Sequence, residues 1–139
     1  MKVDVHVAHL GLIRTDPAYF SLTVGNAILG GGTSSRLFNG IREKKGYAYS
    51  VYSYNQAQKD AALFTASMQV RNEVAGDAIT ELLAELKKMT SEPVSSQELS
   101  SVKNYLSGNF VIRMQSQDAL ATQIVTVKSM GLPKDYLEL

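Results

Sequence analysis

Few residues of this chain could carry metal or nucleophilic chemistry. The only histidines are His6 and His9, and there is no cysteine. On a strand, a spacing of three sends side chains to opposite faces, whereas a catalytic zinc takes about three protein ligands converging on one point. His6-Val7-Ala8-His9 therefore reads as two ordinary strand histidines, and no metal is expected in this chain. The many serines have no histidine with a nameable partner, so neither a serine triad nor a catalytic nucleophile is expected. Gly25-Asn26-Ala27-Ile28-Leu29-Gly30, running into Gly31-Gly32-Thr33, superficially looks like a phosphate loop. It lacks that motif's lysine and hydroxyl at the required places, and its glycines end a helix instead of following a strand. Gly30, Gly31 and Gly32 read as a sharp helix–helix turn that needs positive φ.

Residues 34–51 differ. They place Arg36, Arg42, Lys44 and Lys45 within ten residues, then Tyr47 and Tyr49, which with Tyr52 just beyond make three tyrosines within six. Lys44 and Lys45 complement a helix C-terminus, and tyrosines favour strands. That leaves Arg42 and Tyr49 unexplained as a pair, one at a helix end and the other on the strand that returns beside it. A guanidinium with five donors and a phenol with one make a clamp for peptide carbonyl oxygens. As regular alternation would have it, Tyr49 shares a strand face with Tyr47 and Val51, giving a part-apolar cleft suited to extended peptides.

The elements that must position these groups follow from the hydrophobic pattern. Residues 2–13 alternate as a strand, with Val3, Val5 and Val7 on one face and Ala8, Leu10 and Leu12 on the other. Asp16-Pro17 opens a helix that carries Phe20, Val24, Ala27 and Ile28 and ends at the three glycines. Thr33 or Ser34 caps a second helix through Leu37, Phe38 and Ile41, closed by Lys44, Lys45 and a turn at Gly46. Residues 47–54 form a strand, the polar stretch 55–60 a turn, and Ala62, Phe64, Ala66, Met68 and Val70 alternate on the return strand. Val74, Ala78, Ile79, Leu82, Leu83, Leu86 and Met89 mark one helix face, with Glu81, Glu85, Lys87 and Lys88 off it. Ser95 and Glu98 form a capping box and Val94 and Leu99 a hydrophobic staple. That helix runs on through Val102, Leu106 and Phe110. A last helix through Leu120, Ile124, Val127 and Met130 stops at Gly131. The order β-α-α-β-β-α-α-α predicts an α+β fold, an antiparallel-rich sheet with helices packed on one face.

Leu29-Gly30-Gly31-Gly32, Ser35-Arg36-Leu37-Phe38 and residues 42–51 (REKKGYAYSV) together resemble the C-terminal half-domain of the pitrilysin-type (inverzincin) zinc peptidases. Mitochondrial and bacterial processing peptidases belong to that family. Gly11, Asp16-Pro17, Glu98-Leu99, Gly108 and Gly131-Leu132-Pro133 extend the resemblance over essentially the whole chain, 1–139, as one half-domain of a larger protein. The resemblance implies the LuxS-like, processing-peptidase-like half-domain fold and a clamshell of two homologous halves around a peptide substrate. It implies that zinc belongs to the partner half, which carries H-x-x-E-H in the same chain or in another subunit. It also implies that Arg42 and Tyr49, seven residues apart, hold substrate carbonyls near that zinc and stabilise developing negative charge. Two alternatives stay open at this point. The same fold serves as a non-proteolytic scaffold subunit, and an unrelated α+β binding module would use the glycines and tyrosines for packing alone.

Composition bounds the rest. Lys plus Arg number 14 and Asp plus Glu 13, a net charge of +1, which argues against a nucleic-acid-coating or membrane-surface protein. With 45% hydrophobic and 19% charged residues the chain is globular rather than disordered. At 15.2 kDa it is one domain. No apolar run approaches the roughly 20 residues that span a bilayer, and Met1-Lys2 followed by Asp4 and His6 is no signal-peptide pattern. A cysteine-free chain suits cytoplasmic, periplasmic or organellar settings alike. The chain starts inside a strand-like pattern and stops where residues 131–137 read as a turn opening another helix, as a piece of a larger protein would. Apolar area is expected where the sister half belongs, and with it self-association.

Overall fold

A computed structural model describes residues 1–137. Three strands, β1 (Lys2–Leu10), β2 (Ala48–Ala57) and β3 (Ala62–Arg71), form an antiparallel sheet in the order β1-β3-β2. Four α-helices, α1 (Tyr19–Gly30), α2 (Ala75–Ser91), α3 (Ser96–Arg113) and α4 (Gln117–Ser129), join a short π-helix over Phe38–Lys44 and a 3-10 turn over Asn72–Val74. The expected α+β order is the observed one.

Alternation in the strands decides the two faces of the sheet. Val3, Val5 and Val7 of β1 pair with Val70, Met68 and Ala66 of β3, and Val51 and Ser53 of β2 pair with Met68 and Ala66. This face meets α1, α2 and the π-helix through Leu29, Leu37, Ile41, Ala78 and Leu82, which complete one apolar core. Burial of a Leu or Ile of this kind contributes about 1.5–3 kcal/mol each. The opposite face carries Lys2, Asp4 and His6 on β1, Thr65, Ser67, Gln69 and Arg71 on β3, and Ser50, Tyr52 and Tyr54 on β2. It is polar and aromatic, and Lys2, Asp4, His6, Ser50, Tyr52, Tyr54 and Arg71 on it are exposed.

Several local expectations change. Helix α1 begins at Tyr19 rather than at Pro17, because the Asp16 carboxylate accepts the Ala18 N–H (2.8 Å) and holds a turn ahead of the helix. The second helix is a π-helix. Its leading hydroxyl belongs to Ser35, which is buried, donates to Gly32 O (2.6 Å) and accepts from Phe38 N (3.4 Å), instead of Thr33 or Ser34. Residues 55–57 continue β2 instead of turning. Asn55 is tolerated there because its side chain clasps the Leu12 backbone, accepting from Leu12 N (3.2 Å) and donating to Leu12 O (2.8 Å). Glu85 lies at the buried edge of α2, paired with Lys88 (2.8 Å), while Leu83 is exposed. Residues 134–137 form a turn, and Leu132 is buried with its N–H on Val127 O (2.9 Å).

The glycines work differently from the sequence reading. None of Gly30, Gly31 and Gly32 has positive φ. Gly30 lies against β2, where a Cβ would come within 2.6 Å of Ser53 N, and a Cβ at Gly31 would meet Ala27 Cα at 2.6 Å. Close approach of backbones, not the left-handed region, requires the first two; Gly32 has nothing within 4 Å. Gly46, by contrast, does need its hydrogen side chain, at φ 64°. Gly131 ends α4 in the same conformation, at φ 66°. The capping box is present as read, with Glu98 N donating to Ser95 Oγ (3.2 Å) and Ser95 N donating to Glu98 Oε2 (3.2 Å). Val94 and Leu99 line one cavity of about 390 Å³ with Phe20, Val24 and Ile28.

Candidate functional site

Arg42 and Tyr49 are brought to one end of the sheet by a very short path. The π-helix carrying Arg42 packs on β2 and closes with Lys45 N donating to Gly40 O (3.2 Å), the wide i→i+5 spacing of such a turn. Gly46 N then donates to Arg42 O (3.1 Å) and Tyr47 N to Ile41 O (3.0 Å), so the chain folds directly back into β2. Ile41 is fully buried and anchors the inner side of this turn, which turns Arg42 outward. Its guanidinium lies over the Phe38 ring, 4.7 Å from the centroid, a stacking contact that fixes the long side chain without using its donors.

Tyr49 is placed by an irregularity. Ala48 pairs with Val70 and Ser50 with Gln69, so Tyr49 is the extra residue of a β-bulge. The bulge breaks the alternation and sends Tyr49 and Ser50 outward together, while Ala48 and Val51 stay buried. Tyr49 therefore does not share a face with Tyr47 and Val51, as regular spacing predicts. Tyr47 packs toward the core, and Tyr49 joins the open face that carries Tyr52 and Tyr54, whose rings stack at 6.0 Å. Tyr49 is 48% exposed, and the Lys2 ammonium lies over its ring, 4.0 Å from the centroid. Neither the Arg42 guanidinium nor the Tyr49 hydroxyl makes a hydrogen bond among the described residues. Both keep all their donors for something else.

The floor of the open face is polar. His6 Nδ1 shares a 2.8 Å hydrogen bond with Ser67 Oγ, and Gln69 Nε2 donates to Asp4 Oδ1 (3.0 Å). Thr65 Oγ1 is buried without a hydrogen-bond partner. His9, on the core side of β1, stacks on Phe64 at 5.0 Å and donates from Nδ1 to Leu10 O (2.7 Å). The two histidines thus lie on opposite faces and cannot share one ion. No group of three or more His, Asp or Glu residues able to hold a metal occurs among the described residues, so these residues do not fit a zinc centre. No helix among them is long and apolar enough to cross a membrane.

The strongest electrostatic contact lies beside the glycine turn. Arg36 grips Glu98 with two parallel hydrogen bonds, Nε–Oε1 and Nη2–Oε2, both 2.9 Å. The Arg36 bonds, with further donation from Ser95, hold the Glu98 carboxyl down at about 2, and Glu98 in turn raises Arg36. This pair ties the start of the π-helix segment to α3. Sequence reasoning missed Phe38, Lys2, Tyr52 and Tyr54 as neighbours of the site. The four-residue spacing of Phe38 and Arg42 was a usable signal; the Lys2–Tyr49 contact depends on a strand order that spacing does not encode.

Comparison with known proteins gives the family and the fold. The sequence profile of the peptidase M16 inactive domain matches residues 3–106. The chain is 36% identical over 114 residues to an uncharacterized zinc protease of Streptomyces coelicolor, covering 82% of this chain and 25% of that protein. It is 34% identical over 128 residues to the uncharacterized zinc protease YmxG of Bacillus subtilis, covering 85% and 30%. Among solved structures, a peptidase M16 inactive domain from Pseudomonas fluorescens superimposes with a TM-score of 0.89 at 28% identity, over 99% of this chain and 33% of that one. A chain of complex III2 from Candida albicans shares the fold, with a TM-score of 0.79 at 19% identity over 99% and 35%. The chain thus spans between 25% and 30% of the length of these curated relatives. With its α+β sheet, its divergent histidines and the sequence match over most of its length, the chain belongs to the peptidase M16 inactive-domain family.

Proposed function

We propose that this domain is the substrate-binding, non-catalytic half of a zinc metallopeptidase. In this reading the zinc and its H-x-x-E-H motif lie in a homologous half, in the same protein or in a partner subunit. Arg42 and Tyr49 donate hydrogen bonds to carbonyl oxygens of a peptide held between the halves. Donors fixed before the substrate arrives cost no reorganisation as charge builds on an oxygen. The observation that carries the reading is that both side chains are exposed with their donors free, one stacked on Phe38 and the other turned outward by the bulge. The polar and aromatic character of the open sheet face supports it, since a face awaiting another packing layer would be apolar.

The test is peptide hydrolysis by the complete protein, comparing wild type with an Arg42→Ala, Tyr49→Phe double variant. The expected result is a fall in kcat/KM of at least about a hundredfold, roughly 2.7 kcal/mol of transition-state stabilisation, with folding and zinc content unchanged. Unchanged activity would make the domain a wall of the chamber and no more. A second reading, a scaffold without proteolysis, is favoured by one relative: the chain is 27% identical over 109 residues to the non-peptidase homolog YmxG of Helicobacter pylori. Absence of hydrolysis in the wild type would support that reading.

A further inference from the structure

The open face of the sheet is electrostatically lopsided at the Tyr49 end. Lys2 and Arg71 are direct partners at the end of the β1–β3 ladder, and both fall on the open face. Like charges facing each other across an antiparallel pair are destabilising unless something neutralises them. Nothing does so here: the ion pairs of the described residues are Arg36–Glu98 and Lys88–Glu85. Asp4 is the carboxylate nearest along the same face of β1, and it is turned to Gln69, which donates to it at 3.0 Å. Lys2 instead leans over the Tyr49 ring. The π-helix that ends just before β2 carries three further exposed cations, Arg42, Lys44 and Lys45. Lys44 and Lys45 have a local role at the end of that helix, whereas Lys2 has only its ring contact and Arg71 makes no ion pair among the described residues. In a chain whose net charge is only +1, two cross-strand cations without a carboxylate partner among the described residues fall at the Tyr49 end, one of them on its ring.

From this juxtaposition we infer that Lys2 and Arg71 form an acid-recognising subsite beside Tyr49, selecting peptides that carry a glutamate or aspartate next to the segment held by Tyr49. The inference deepens the substrate-binding reading and rests on it for the placement of the peptide. The occupant follows from charge complementarity and position. A peptide carboxylate between Lys2 and Arg71 relieves the repulsion of the cross-strand pair, and Ser50, Tyr52 and Tyr54 of β2 offer a hydroxyl and stacked rings to the rest of an extended chain.

The test is equilibrium binding to the complete protein, so that it does not depend on turnover. Fluorescent peptides that differ only by Glu, Gln or Lys at one position, moved along the peptide in successive sets, are compared in affinity by anisotropy at low and high salt. Wild type is expected to prefer the Glu peptide about tenfold at one position, a difference of roughly 1.4 kcal/mol, and the preference should shrink as salt rises. In a Lys2→Gln, Arg71→Gln variant the ratio should approach one, and in Lys2→Glu, Arg71→Glu it should favour a Lys peptide. Any effect of losing Lys2 on Tyr49 itself falls on both peptides and cancels in the ratio. Equal affinities in wild type, or a ratio unmoved by the variants, would overturn the subsite. So would a short single-stranded oligonucleotide binding as tightly as the Glu peptide, which would make the patch a general anion surface. Arg42→Ala, Tyr49→Phe separates the two proposals: it should weaken both peptides while leaving their ratio in place. If it weakens neither and the ratio persists, the clamp fails and the acid subsite stands.

Discussion

At the scale of single residues, side chains of one type do unlike jobs, and glycine is the clearest case. The run at residues 30–32 looks in sequence like three copies of one requirement. In space Gly30 makes room for β2, Gly31 for α1's own last turn, and Gly32 for nothing. Gly30→Ala should therefore force a Cβ into the Ser53 backbone and destabilise by about 1–3 kcal/mol, the range for overpacking. Gly32→Ala should stay within about 0.5 kcal/mol of wild type. Thermal or denaturant unfolding of the two variants side by side checks this; equal losses would refute the close-approach account. Composition alone could not separate these roles, because a positive-φ glycine and a contact glycine have the same letter. Arg42 and Tyr49 stand out in sequence as a pair, and the structure leaves both exposed, which is the ground of the proposal made for them. Their supports were not legible in sequence: the Lys2 contact joins residues 47 positions apart, through a strand lying between them.

At the scale of elements, the order of strands and helices was readable because each carries its own period, 2 or 3.6. The two irregular elements were not. A π-turn and a bulge each insert one residue into a regular ladder, and the side-chain pattern that would reveal the insertion is the one it scrambles. Both fall within residues 38–50, next to the candidate site, where re-aiming a side chain has a use. The capping box of α3 was legible, yet its second duty was hidden, for Glu98 also receives Arg36 from the segment before the π-helix. That double use gives a pH signature. The folded-state carboxyl sits at about 2, below its unfolded value, so its stabilisation is present above the unfolded value near 4.5 and fades as pH falls toward 2. With the side chain 38% exposed, solvent screening holds the contribution to about 1 kcal/mol. Glu98→Gln keeps the cap, because glutamine also serves at that position. The variant should melt below wild type at pH 7, and the two curves should merge near pH 2. A constant gap across that range would show that Arg36 contributes nothing to stability.

For the whole molecule, two unlike surfaces stand out. The open sheet face is polar and aromatic, whereas α3 and α4 present Val111, Ile112, Ile124 and Val125, each more than half exposed. Large exposed apolar area, where contiguous, marks a contact surface. These exposed apolar side chains lie on the helices, and they are the candidates for the expected contact with a sister half or a second copy. Sedimentation of the 15.2 kDa domain alone should show concentration-dependent association. Ile112→Glu with Ile124→Glu should disperse it; a monomer at high concentration without those changes would count against the idea. Sequence could say how much apolar surface there is but not on which side it lies, because that depends on how α3 packs on α1 and where α4 follows it. The path from Arg42 to Tyr49 has a mechanical consequence of another kind. A buried Ile41, two backbone hydrogen bonds and one glycine turn hold the pair within a single continuous segment. A jaw that opens and closes would therefore carry both groups as one rigid tooth, altering their reach to whatever lies opposite while leaving their bite fixed.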